Sequence, residues 1–288
     1  MLCNGCPRKC NIDREKTTGV CGVPFLPRVA KAYLHKWEEP CISGEYGSGT
    51  VFFSGCNLKC VYCQNYEISD MANGKDISIE RLAQIFRELE EQGATNINLV
   101  SPSHYVDAII SALDIYRPSI PIVYNSNGYD SMESLEKLKD YVDIFLMDFK
   151  YIDGDMAMQY SKAKDYPKIA KSNILKAREI QPKEIFDGDI MKKGVIIRHL
   201  ILPNHIDNSI QILEWIRDNV TEPFVSLMGQ YVPMHRAGDY PKISRKLKAI
   251  EYKIVQKKLY ELGLTQGYTQ ELSSAEEKYT PDFDGVGV

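Results

Sequence analysis

Three cysteines, Cys56, Cys60 and Cys63, stand within eight positions in "FFSGCNLKCVYCQNYEIS", at C-x3-C-x2-C spacing. Thiolates are soft ligands that suit iron–sulfur clusters, zinc or copper(I). A structural zinc site takes four ligands, and no fourth cysteine stands nearby in the sequence. Three thiolates on one short loop suit a cubane cluster better, with one iron free of protein and open to a reactant. The plainer alternative, three buried cysteines acting as small hydrophobes, fits this spacing poorly.

A second group opens the chain. Cys3, Cys6, Cys10 and Cys21 read C-x2-C-x3-C-x10-C around "CPRKC". Four thiols complete a tetrahedral zinc site or hold an auxiliary iron–sulfur cluster, and the spacing does not separate the two. The segment around them has few large apolar residues, so a metal would supply order that a core cannot. Cys41, in "HKWEEPCISGEYGSGT", reads as a reduced buried thiol, beside Glu38 and Glu39, which either face a site or are solvated. All eight cysteines precede residue 64, so any thiol chemistry belongs to the N-terminal quarter.

The elements that must position these thiols follow Gly49. Short apolar runs at 50–54, 96–100, 121–125, 142–148, 195–202 and 224–228 are rich in Val, Ile and Phe and lack strict alternation. Such runs suit parallel strands buried on both faces. Between them lie helical patterns. The clearest begins at Ser78, a suitable N-cap, repeats Ile79, Leu82, Phe86 and Leu89 on one face, and is followed by Gly93. Others fill 131–140, 155–180, 207–219 and 243–262. The alternation predicts an α/β parallel sheet with right-handed crossovers, either doubly wound or a partial barrel. The polar stretches "SPSHY", "NSNGYD", "DFKYID" and "LPNHIDN" follow strands and would gather at one ligand-binding mouth in either architecture. The expected organisation is a cysteine-rich metal-binding segment over 1–45, the main α/β domain over 46–264, and a polar tail over 265–288 laid on the body.

The 288 residues are 44% hydrophobic and 26% charged, with a net charge of -4. That is globular composition without the basic excess of a nucleic-acid surface. "MLCNGCPRKCN" lacks the apolar stretch of a secretory signal, and no run of residues reaches the length of a membrane span. The expectation is a cytoplasmic protein, where thiols stay reduced and clustered cysteines signal metal or catalysis.

"GCNLKCVYCQN" resembles the signature of the radical S-adenosylmethionine (SAM) enzymes, including Tyr62 before the last cysteine and Asn65 after it. The resemblance implies a [4Fe–4S] cluster on Cys56, Cys60 and Cys63, with SAM chelated to the fourth iron. It implies reductive cleavage of SAM to a 5′-deoxyadenosyl radical that abstracts hydrogen, fed by an external electron donor such as flavodoxin or ferredoxin. It also favours the partial (β/α)6 TIM-like barrel over the doubly wound sheet. The likeness covers about residues 46–262. Within the family, "NSNGY", "MDFK" and "IRHLILP" resemble pyruvate formate-lyase activating enzymes. By that resemblance Tyr62, Ser126, Asp148, Lys150 and Arg198 would line the SAM site. An Arg is a strong partner for the SAM carboxylate.

Two departures from the family stand out. Its Gly-Gly-Glu stretch after the second strand is "VSPSHY" here, so Ser101, Ser103 or backbone carbonyls would receive the SAM amine. The acid before "TNG" is Asn125 before "SNG". The substrate is open between a glycine on a partner protein, a small molecule and another macromolecule. Two other classes fit less well. A non-catalytic scaffold would not need all three cluster cysteines. A zinc hydrolase would need His or carboxylate ligands, and none of the five histidines pair at i, i+4. His104, His235 and Arg236 fall in loops near the expected mouth.

Overall fold

The computed structural model describes residues 3–270 and 281–288. In chain order the elements are β1 (Arg28–His35), α1 (Pro40–Ser43), β2 (Ser48–Phe53), α2 (Tyr66–Ser69), β3 (Lys75–Asp76), α3 (Ile79–Glu91), β4 (Ile97–Val100), α4 (Val106–Ile115), β5 (Ile122–Ser126) and α5 (Met132–Leu138). They continue with β6 (Ile144–Asp148), α6 (Gly154–Ser161), α7 (Tyr166–Ile180), β7 (Ile185–Asp187), β8 (Ile190–Leu200), α8 (Ile206–Asn219), β9 (Phe224–Met228), α9 (Ala249–Glu261) and β10 (Gly267–Thr269).

The six apolar runs of the sequence become β2, β4, β5, β6, β8 and β9, all parallel. Every residue of β2, β4, β5 and β6 is buried, as strands covered on both faces require. The sheet order is β10-β9-β8-β6-β5-β4-β2-β1-β3, with β7 paired to β8. Its two ends do not meet, so the architecture is the expected partial barrel. β1 adds antiparallel to β2, so the sheet draws on residues ahead of position 46.

α3 forms as its pattern predicts. Ser78 Oγ accepts the Arg81 amide at 3.2 Å, and Leu82, Ala83, Ile85, Phe86 and Leu89 are buried. The helical stretch at 155–180 divides in two. α6 ends at Lys162 in the left-handed region, φ 56°, and α7 restarts with Pro167 in its first turn, a place where its missing N–H costs nothing. The break lets the Tyr166 hydroxyl reach back to donate to the Asp148 carbonyl at 2.8 Å and to accept the Lys150 amide at 3.0 Å.

Ahead of β1 the described residues form no helix or longer strand, only turns closed by backbone bonds such as Cys3 N–H to the Ile12 carbonyl at 2.8 Å. Of the expected tail, residues 271–280 lie outside the described residues. Residues 281–288 lie on β1. Val286 O accepts the Ala32 amide at 2.9 Å, and Phe283 packs edge-on against Phe52 at 5.6 Å. Among the described residues no helix is long and apolar enough to cross a membrane.

Candidate functional site

β2 ends at Phe53, and the loop that follows turns at Gly55, where φ is +80° and an added Cβ would stand 2.7 Å from the Cys21 carbonyl oxygen. Only glycine fits there. The loop is pinned along its length. Asn57 Nδ2 donates to the Tyr129 carbonyl at 2.6 Å, and the Val61 amide to the Tyr160 carbonyl at 2.9 Å. Cys56, Cys60 and Cys63 therefore occupy a fixed path above the carboxyl ends of the parallel strands.

Each sulfur already has donors. Cys56 Sγ accepts from Asn127 Nδ2 at 3.3 Å and from the Leu58 amide. Cys63 Sγ accepts from Ser69 Oγ at 3.2 Å and from the Asn65 amide. Cys60 Sγ lies 2.9 Å from Ser161 Oγ. Burial pushes the Cys56 and Cys60 thiols up to about 11, while the Lys150 ammonium pulls on Cys60 in the other direction. Thiols held this way lose their protons when a metal replaces them. Donors onto the sulfurs are among the groups that tune a cluster's potential.

Cys60 and Cys63 open onto a cavity of about 640 Å3, shared with Tyr62, Asn125, Asp148, Lys150, Arg198 and Glu38. A chain of charges crosses its floor. Asp148 holds Lys150 Nζ at 2.6 Å and Arg198 Nε at 2.9 Å. Asp148 and Arg198 are register partners on β6 and β8, which places both on one face. Arg198 goes on to Asn125 Oδ1 at 2.6 Å and to Glu38 Oε2 at 3.3 Å. Glu38 Oε1 accepts from Asn98 Nδ2 at 3.1 Å and Asn125 Nδ2 at 3.3 Å. Burial works against the Asp148 charge, but Arg198 and Lys150 hold its carboxyl below the usual range. Burial also opposes the Arg198 charge, and Asp148, Glu39 and Glu38 outweigh it. Glu38 goes the other way, because burial raises it more than Arg198 lowers it.

Of the sequence-derived candidates, Tyr62, Asp148, Lys150 and Arg198 converge on this cavity. Ser126 and Ser101 do not line it. Ser126 is buried and donates to the Asp130 carboxylate. Ser101 sits in the left-handed region, φ 57°, with its amide on the Asn125 carbonyl at 3.1 Å. Ser103 and His104 line a different cavity. His104 is structural. Its ring bonds the Ser54 carbonyl at 2.9 Å, and burial drops it to about 3. His235 stacks flat on Tyr66 at 5.1 Å, outside the lining. Cys41 is fully buried. Asn98 escaped the sequence reading because its place behind Glu38 is a long-range contact.

Among the described residues no three Cys, His, Asp or Glu side chains are drawn together tightly enough to grip a single metal ion. A cluster asks for less, since each thiolate binds a different iron.

Over residues 50–218 the chain matches the Radical SAM superfamily. The matched stretch holds all three loop cysteines together with Asp148, Lys150 and Arg198. The chain belongs to the radical SAM superfamily. It is 33% identical over 255 residues to uncharacterized protein MJ0674 of Methanocaldococcus jannaschii, covering 85% of this chain and 70% of that protein. It is 25% identical over 167 residues to the pyruvate formate-lyase-activating enzyme of Clostridium pasteurianum, covering 55% of this chain and 63% of that enzyme. Among solved structures, Streptococcus suis SuiB bound to S-adenosylmethionine shares the fold, with TM-score 0.53 at 15% identity over 77% of this chain and 50% of SuiB.

Membership implies a [4Fe–4S] cluster and SAM. The residues present fit both. One buried and two partly buried thiols, each with a hydrogen-bond partner, meet a cationic Lys150 at the edge of a cavity large enough for a drug-sized ligand.

Proposed function

We propose that this chain cleaves SAM reductively and uses the resulting 5′-deoxyadenosyl radical to abstract hydrogen from a substrate. Cys56, Cys60 and Cys63 would hold the cluster, which would supply the single electron that splits the C5′–S bond of SAM into methionine and the 5′-deoxyadenosyl group, released as 5′-deoxyadenosine after hydrogen abstraction.

The observation that carries this reading is the meeting of Cys60 and Cys63 with the Asp148–Lys150–Arg198–Glu38 network in one cavity. The cavity wall carries two carboxylates, Glu38 and Asp148, and three cations, Lys36, Lys150 and Arg198. SAM at neutral pH carries an ammonium, a sulfonium and one carboxylate, so charges of both signs on the ligand have partners on the wall. Lys150 and Arg198 suit its carboxylate, and Glu38 suits its ammonium, the role that "VSPSHY" lacks an acid to fill. A cation beside Glu38 would bring that carboxyl back toward its ordinary range.

For the substrate, similarity to an activating enzyme supports a glycine on a partner protein, with flavodoxin or ferredoxin as the electron source. A small molecule or another macromolecule is the second reading. It is favoured by the loss of the Gly-Gly-Glu stretch and of the acid at Asn125.

The test is anaerobic. Protein reconstituted with iron and sulfide and reduced with dithionite is given SAM, and 5′-deoxyadenosine is assayed beside Cys60→Ala. Product from the wild type alone supports the reading. Equal product from the variant overturns the assignment of the cysteines.

A further inference from the structure

The four N-terminal cysteines take no part in the site above, yet they gather at one place. Cys3, Cys6, Cys10 and Cys21 all line a cavity of about 90 Å3, walled on its other side by α4 and α5. Cys6 lies within electrostatic reach of the other three. Backbone amides point at their sulfurs, Arg8 N–H onto Cys6 Sγ and Val20 N–H onto Cys10 Sγ at 3.5 Å. Residue i+2 donating to the sulfur of Cys i is the device that also serves Cys56 and Cys63.

Two arginines line the same cavity. Arg14 is 7% exposed. Its guanidinium donates only to carbonyls, of His104 at 2.6 Å, Pro24 at 2.5 Å and Val23 at 3.4 Å. Arg8 likewise donates to the carbonyls of Asn57 at 2.7 Å, Lys162 at 2.5 Å and Ser161 at 3.3 Å. Among the described residues neither arginine has a carboxylate partner. Arg14 is the buried one of the two, and a buried guanidinium without a counter-ion is costly. A centre ligated by four thiolates is anionic and would supply the missing charge.

The segment also touches the reactive loop directly. The Cys21 carbonyl accepts the Cys56 amide at 3.3 Å. Arg8 holds the carbonyl of Asn57, next to Cys56, and that of Ser161, whose hydroxyl meets Cys60 Sγ.

We propose that Cys3, Cys6, Cys10 and Cys21 bind a second, thiolate-ligated metal centre, and that this centre clamps the loop carrying Cys56, Cys60 and Cys63. The four sulfurs are not drawn onto one point in this structure, which suits an iron–sulfur cluster, whose ligands bind separate irons, better than a single zinc ion.

The experiment uses the full chain with Cys56, Cys60 and Cys63 all changed to Ala, which removes the first centre. After anaerobic loading with iron and sulfide or with zinc, then desalting, bound metal and sulfide are measured and folding is checked by circular dichroism. Retained metal that disappears when Cys6→Ser and Cys10→Ser are added is the expected result. Zinc without sulfide identifies an ion, and iron with equal sulfide a cluster. A folded triple variant without bound metal overturns the site, as does metal that survives the added changes. Should the triple variant fail to fold, wild type is compared with Cys6→Ser/Cys10→Ser, and equal metal content in the two overturns it. The clamp is tested separately with Arg8→Gln. Iron of the first centre should be released severalfold faster to a chelator, and an unchanged rate overturns the clamp.

Discussion

The loop after β2 carries three thiols on backbone anchored to a buried strand, and its sulfurs border a cavity with room for a reactant. The N-terminal loop carries four thiols on backbone with no regular element to hold it, and its cavity is a seventh of that size in round terms, about 90 against 640 Å3. Both use amide donors onto sulfur, and they touch through hydrogen bonds from Cys56 N–H to the Cys21 carbonyl and from Arg8 Nε–H to the Asn57 carbonyl. The same ligand chemistry thus serves opposite ends. Where the fold already supplies rigidity, a thiol can be left out and a position opened. Where the fold supplies none, the proposed second centre would use its fourth thiol to close the site and would do the work of a core.

The sharpest way to break this comparison is to remove thiols from one loop at a time. Cys60→Ala should abolish 5′-deoxyadenosine formation while leaving the melting temperature within a few degrees of wild type. Cys6→Ser/Cys10→Ser should do the reverse in emphasis, lowering Tm by roughly 10 °C or more, read by differential scanning calorimetry, with activity reduced rather than absent. Equal Tm losses in the two would end the division of roles.

Within the open site, Asp148→Asn leaves Arg198 and Lys150 buried without their shared carboxylate. It should cost about 3 kcal/mol by urea unfolding and weaken SAM binding by calorimetry. Glu38→Gln should weaken SAM binding about tenfold, equivalent to about 1.4 kcal/mol, with little change in cluster content. An unchanged affinity would remove Glu38 from the site.

The smallest effect concerns the junction. His104 gives its carbonyl to Arg14 and its ring to Ser54, so it ties the two regions together. Burial holds its folded-state value near 3, and that of His199 near 4, below the ordinary 6.5. Between those values the unfolded chain binds more protons than the folded one. Stability is therefore full above about pH 6.5 and is lost as pH falls toward 4. Tm measured from pH 7.5 down to 5 should fall steadily, and His104→Gln should lower it at pH 7 and flatten the slope.

Much of this was legible in the residues. The six buried runs marked the parallel strands, Ser78 marked a helix start, and strand-end polar residues marked the mouth. Asp148, Lys150 and Arg198 were readable because they lie at or near the carboxyl ends of strands whose pattern is plain. Ser126 was misleading for a physical reason. Successive strand residues face opposite sides, so once Asn125 faces the cavity Ser126 must turn inward to Asp130. β1 was hidden in the cysteine-rich stretch, and only its pairing with β2 brings Glu38 over Arg198. α4 carries apolar residues on most of its surface, so no period announced it. The charge network of the cavity, and the two arginines that among the described residues donate only to carbonyls, exist only once the chain is folded.

The measurement closest to the central claim is the EPR spectrum of dithionite-reduced protein with and without SAM. The account predicts a cluster signal that changes when SAM is added to the wild type, and no SAM-dependent change in Cys60→Ala. A wild-type signal indifferent to SAM, or a SAM-dependent change surviving in the variant, would contradict it.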